Sequence, residues 1–86
     1  MKKYTVDFLT INSPQYVKSG CNSITFWAYA PEGVAVINNS IKLYNYQSLS
    51  IDGNENEIDE TIYFITGENL FFESGGYVTV IRKNYI

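Results

Sequence analysis

Residues 3–9, KYTVDFL, alternate strictly: Tyr4, Val6 and Phe8 project to one side, and Thr5, Asp7 and Leu9 to the other. A period of two predicts a β-strand, ended by Asn12, Ser13 and Pro14. Residues 15–22 carry Gly20, Cys21 and Asn22 and read as a loop or a short edge segment. Residues 23–30, SITFWAYA, are apolar at nearly every position, which predicts a strand that is either central in its sheet or covered by a neighbour. Pro31, Glu32 and Gly33 turn the chain. Two short runs, 34–37 and 41–44, flank Asn38-Asn39-Ser40; asparagine tolerates positive φ, so a tight hairpin is expected there.

Further strands are expected at 48–51, at 61–66 with Gly67 closing it, at 69–73, and at 77–83 after the turn Ser74-Gly75-Gly76. No window shows the i, i+3, i+4, i+7 spacing of an amphipathic helix. Seven or eight short strands predict an all-β fold, a small antiparallel β-sandwich of jelly-roll or Ig-like type, with a small β-barrel as the alternative. Residues 1–86 are expected to form a single domain.

Composition agrees with strands: eight Tyr and five Phe stand beside frequent Val and Ile. A chain of this size builds only a thin core, and such domains usually rely on disulfides, metal or association. With one cysteine, Cys21, and no histidine, an internal disulfide and a Cys/His metal site are both excluded. Cys21 itself reads as a small packing residue or inert thiol. Packing and association are left. Lys2 and Lys3 open the chain, but Thr5, Asp7 and Thr10 interrupt any apolar run of signal-peptide type. No stretch approaches the length needed to cross a bilayer, so no membrane partner is expected.

The net charge of −3 argues against a nucleic-acid partner, which would be met by clustered basic residues. Seven of the nine acids lie between Asp52 and Glu73, whereas Lys2, Lys3, Arg82 and Lys83 sit near the two ends of the chain. If the first and last strands are neighbours, this distribution predicts a basic pole and an acidic pole.

The stretch that looks most like chemistry is DGNENEIDE, residues 52–60. Counted as a calcium loop from Asp52, it has Asn54 and Asn56 at positions 3 and 5. Glu57 then replaces the required glycine and Tyr63 the bidentate glutamate. The EF-hand reading fails; Asp52, Asn54, Glu57 and Asp59 are the residues an irregular calcium site would use. Paired carboxylates for glycoside hydrolysis need separated pKa values, which a solvated connection does not provide. A Ser, Cys or Lys nucleophile lacks a histidine to activate it. The favoured reading is a non-enzymatic protein without cofactor, in which 52–60 is a hydrated turn that keeps greasy strands soluble. ENLFFES at 68–74 resembles a plant-virus protease cleavage sequence, but Phe71 and Glu73 depart from it, so it reads as native structure.

The aromatic residues exceed what a thin core absorbs. Trp27 with Tyr29, and Tyr44 with Tyr46, are spaced to share a strand face and are the expected interface, together with Lys2, Lys3, Arg82 and Lys83.

Three stretches, SGCNSITFW (19–27), INNSIKLYNYQSLSIDGNENEID (37–59) and VIRKNYI (80–86), are similar in order and texture to small virion-associated β-proteins of tailed phages infecting Bacteroidetes, including crAss-like phages. The resemblance implies a structural role as a capsid decoration, head fibre adaptor or tail-side component, without cofactor. The partners it implies are other virion proteins, with the chain present in many copies or as a homo-oligomer, assembled in the bacterial cytoplasm. It carries over no site residues. Two alternatives are a carbohydrate-binding β-sandwich module, with the aromatics as platform, and a small acidic inhibitor of a host protein.

Overall fold

The computed structural model describes residues 3–86, so the expectation placed on Lys2 lies outside the described residues. Eight strands run in chain order: β1 Tyr4–Ile11, β2 Gln15–Lys18, β3 Ser23–Tyr29, β4 Val34–Ile37, β5 Ile41–Leu43, β6 Ser48–Asp52, β7 Ile62–Glu68 and β8 Tyr77–Tyr85. They form two four-stranded sheets, ordered β1-β8-β3-β6 (sheet A) and β2-β7-β4-β5 (sheet B), every pair antiparallel. The sheets are not closed into a barrel, so the fold is a small β-sandwich. Only the β4–β5 connection stays within one sheet; every other connection between consecutive strands crosses from one sheet to the other.

The core lies between the sheets and follows the period-two rule. Sheet A contributes Ile24, Phe26 and Ala28 from β3, Val78 and Val80 from β8, and Ile11 from β1. Sheet B contributes Val17, Ala35, Ile37, Leu43, Tyr63 and Ile65. Phe26 and Tyr63 meet edge to face across the gap, ring centroids 5.1 Å apart. Cys21 is fully buried in this cluster, and burial, aided by the Asp59 charge, pushes its thiol pKa up. It is a packing residue, held protonated, as its sequence context suggested.

The Asn38-Asn39-Ser40 hairpin forms with φ of 53° at Asn38 and 58° at Asn39. The segment before β3 contains a short edge strand, β2, paired with β7.

One expected element is absent. Residues 69–73 are not a strand but a compact turn, closed by Ser74 N–H to Leu70 O, Gly76 N–H to Phe71 O and Gly75 N–H to Phe72 O. Its anchor is Phe71, 1% exposed. The ring lies against the bare α-carbons of Gly67 and Gly76, where a Cβ would stand 2.6 Å and 2.8 Å from ring atoms. Gly67 therefore does not end β7, which runs on to Glu68. The glycine clears room for the aromatic plug at this end of the core.

Candidate functional site

The two candidate regions, the acidic loop and the aromatic residues, differ in how far their groups are satisfied within the chain. The loop between β6 and β7 is bolted to the body. Asn22, 3% exposed, donates through Nδ2 to Asn54 O (3.0 Å) and Glu57 O (2.6 Å), and its Oδ1 accepts from Tyr85 N–H (2.7 Å). Ser19, 1% exposed, donates to Asp59 O and Thr61 O. Cys21 and Asp59 form a backbone bridge.

Three of the four side chains that suggested a calcium site have partners within the chain: Asn54 and Glu57 bond to each other, and Asp59 bonds to Thr61 and Tyr63. Asp59 Oδ1 accepts from Thr61 N–H and its Oδ2 from Tyr63 O–H. These bonds hold its carboxyl below the usual carboxylate range, with Thr61 the largest influence and Tyr63 next. The Tyr63 hydroxyl is pushed up to about 12, first by burial and then by its bond to Asp59. Asn54 Oδ1 accepts from Asn56 N–H, and Asn54 Nδ2 donates to Glu57 Oε1. Among the described residues no three Cys, Asp or Glu side chains gather as a metal-binding group. A hollow of about 140 Å³ lies beside the loop, lined by Asn22, Ile51, Asp52, Gly53, Glu57, Ile58 and Asp59. It is below the few hundred Å³ usual for a small-molecule pocket. The loop is thus an organised cap rather than the purely hydrated turn the sequence suggested.

The expected charge poles do not form. β1 and β8 do pair along their length, but Ser23 is opposed to Lys83 on one side and to Asp52 on the other. The acidic loop and the basic end of β8 therefore share one end of the sandwich. Arg82 and Lys83, neighbours in sequence, also separate. Arg82 points inward from sheet A, gripping Asp7 through two 2.9 Å bonds and donating to Lys18 O of sheet B. The Asp7 bond raises the pKa of Arg82 further. Lys83 points outward, its Nζ 5.2 Å from the Tyr4 ring centroid and 5.1 Å from that of Tyr85. Lys3 is exposed at the start of β1.

The outer face of sheet A carries the apolar surface. Ile24, Phe26 and Ala28 face the core, so Thr25, Trp27 and Tyr29 face out. Register then places Tyr77, Thr79 and Ile81 of β8 beside them, and Tyr4, Val6 and Phe8 of β1 beyond. Trp27 and Tyr29 do share a face, as expected. Tyr46 joins them from the β5–β6 turn, its ring 5.7 Å from Trp27 and 6.1 Å from Tyr29, and Tyr77 lies 5.2 Å from Tyr29. Phe8 is 66% exposed and Tyr46 62%, with Tyr4 and Val6 also open to solvent.

Tyr46 reaches this position in a left-handed conformation, φ 63°, which is unfavourable for a bulky residue. The turn enforces it: Tyr46 N–H donates to Ala28 O, Gln47 N–H to Tyr44 O, and Asn45 Oδ1 accepts from Ala30 N–H. The same turn breaks the alternation that paired Tyr44 with Tyr46, and only Tyr46 stacks on the Trp27–Tyr29 group. Sequence reasoning missed Tyr77 and the β1 trio as members of this face. The trio's alternation was visible, but which side faced the core was not.

No protein-family profile matches the chain, and neither a curated protein nor a solved structure matches it.

Proposed function

We propose that this chain is a non-enzymatic structural protein that works by protein–protein contact through the outer face of sheet A, and that its setting is a phage virion. The observation that carries the contact reading is the apolar strip Tyr4, Val6, Phe8, Ile81, Trp27 and Tyr46, continuous across neighbouring strands, in which Tyr4, Val6, Phe8 and Tyr46 are exposed and Ile81 and Trp27 half-buried. A monomeric soluble protein rarely leaves such a patch uncovered. Aromatic anchors with a cation at the rim, here Lys83 over Tyr4 and Tyr85, fit the composition of protein interfaces. The virion setting rests on the sequence resemblance.

The relief of the face favours protein over carbohydrate. The rings of Trp27, Tyr29, Tyr46 and Tyr77 meet at 35°, 48° and 40°, an uneven relief suited to interdigitation with protein side chains. The test is quantitative mass spectrometry of purified particles, combined with oligosaccharide titration of the isolated protein. The polypeptide is expected in particles at fixed stoichiometry and without saccharide binding. Its absence from particles, or saturable quenching of Trp27 fluorescence by an oligosaccharide, overturns the reading.

A further inference from the structure

Strand β1 is the edge of sheet A, paired on one side only, with β8. Ile86 N–H donates to Lys3 O, so Lys3 and every second residue after it direct their backbone groups toward β8. The N–H and C=O groups of Tyr4, Val6, Phe8 and Thr10 consequently point away from the molecule. The β1–β8 register is unbroken from Tyr4 to Ile11, without a bulge. The strand contains no proline and no lysine, two usual protections of an exposed edge, and its one charged residue, Asp7, is neutralised by Arg82 of the same copy. A bare edge of this kind is a template for one class of occupant, another β-strand.

We infer that the occupant is β1 of a second copy of this chain, paired antiparallel about a two-fold axis at Val6. Opposed residues of an antiparallel pair share a face, so the apolar set on the outer face limits the register to steps that keep like sides together. An axis at Asp7 sets two carboxylates directly opposite each other, and an axis at Phe8 sets Asp7 opposite Leu9. An axis at Val6 sets Tyr4 opposite Phe8 of the second copy and Val6 opposite itself. Thr5 then stands opposite Asp7 of the second copy, and Lys3 stands opposite Leu9, over which its aliphatic stem lies while its ammonium reaches diagonally toward that carboxylate. This register joins aromatic to aromatic and cation to anion, while Arg82 continues to hold Asp7 within each copy. The outer faces of the two four-stranded sheets merge into one surface. The pairing uses the strand's backbone edge and does not depend on what covers that surface.

Solution mass over a dilution series, with three variants, tests the pairing. The wild type is expected at twice the 9.8 kDa of the chain, dissociating on dilution. Val6→Lys places two ammonium groups together at the axis, on a side chain that is solvent-exposed in the single copy. It is expected at the monomer mass with an unchanged far-UV spectrum and with the melting temperature that the wild type shows once diluted to its monomer. Under mild oxidation, Val6→Cys is expected to give disulfide-linked dimers, since hydrogen-bonded antiparallel pairs hold their Cα atoms about 5.5 Å apart. Phe8→Cys is expected to stay unlinked, as is the wild type with its buried Cys21. A monomeric wild type at every concentration, a Val6→Lys variant that still dimerises, or an unlinked Val6→Cys overturns the proposal. Linkage through Phe8→Cys in place of Val6→Cys overturns the register.

Discussion

The acidic loop and the outer face of sheet A sit on the same small sandwich and use their side chains in opposite ways. In the loop, polar groups bind one another and the body: Asn22 holds two loop carbonyls, and Asp59 places one oxygen on Thr61 and the other on Tyr63. On the face, Phe8, Tyr4 and Tyr46 leave most of their surface open, and the Tyr46 backbone adopts an unfavourable conformation to put its ring there. A cluster of charged residues attracts attention in a sequence, but here Asp59 and Glu57 are already hydrogen-bonded within the chain, and among the described residues the acids do not converge on a common point. Exposed rings on an extended sheet offer a partner the surface that the domain's own core does not use.

The contrast predicts that substitutions in the loop act on stability and substitutions on the face act on association. The largest loss of stability is expected for Asn22→Ala, which leaves the Tyr85 N–H and the Asn54 and Glu57 carbonyls without this partner. Denaturant unfolding should show a loss of about 2–4 kcal/mol. A loss below about 0.5 kcal/mol, the range of ordinary surface substitutions, would mean that the loop is not bolted as described.

Tyr63→Phe removes one hydrogen bond while keeping the ring against Phe26, and a loss of about 1 kcal/mol is expected. Its pH dependence gives a sharper reading. The folded pKa of Tyr63 is raised, so its contribution is complete below its ordinary value of 10.0 and is lost as pH rises through about 12. Asp59 is lowered, so its contribution is present above its ordinary 3.8 and is lost as pH falls through the folded value. Wild-type stability measured against pH should decline at both limits. Tyr63→Phe should remove the alkaline decline attributable to this residue and weaken the acid one.

On the other region, Phe8→Glu is expected to change unfolding free energy by no more than about 0.5 kcal/mol at dilutions where the chain is monomeric, because the ring is largely solvated in the single chain. A destabilisation comparable to that of Asn22→Ala would show that the face belongs to the fold. The smallest effect expected is none: melting in calcium and in a chelator should coincide, because both Asp59 oxygens are already bonded, one to Thr61 and the other to Tyr63 of β7. A calcium-dependent rise in melting temperature would reopen the loop as a binding site.

Much of this fold was legible in the chain. Strict alternation located β1, a nearly unbroken apolar run located β3, the run after Ser74-Gly75-Gly76 located β8, and paired asparagines marked the β4–β5 turn. What was lost depended on contacts between distant segments. The turn at 69–76 looks like a strand until Phe71 is seen plugged between Gly67 and Gly76. Strand order could not be read, because nearly every connection changes sheet and neighbours such as β3 and β8 are far apart in sequence. Alternation in β1 separated Tyr4, Val6 and Phe8 from Thr5, Asp7 and Leu9 without saying that the more apolar side faces out. Charge segregation in sequence suggested poles, which the pairing of Ser23 with both Lys83 and Asp52 removes. Asn22 and Ser19, the residues that secure the acidic loop, carry no local signal; their role exists only once β3 and the loop are side by side.

The central claim is that the outer face of sheet A is a contact surface distinct from the elements that stabilise the fold. Its most direct test is the stoichiometry of the polypeptide in purified particles assembled with wild-type or Phe8→Glu protein, measured by mass spectrometry alongside the melting temperature of each isolated protein. Matching melting temperatures are expected at dilutions where both proteins are monomeric, with wild type incorporated at fixed stoichiometry and the variant depleted. Equal incorporation of both, or wild-type particles without the polypeptide, would contradict it.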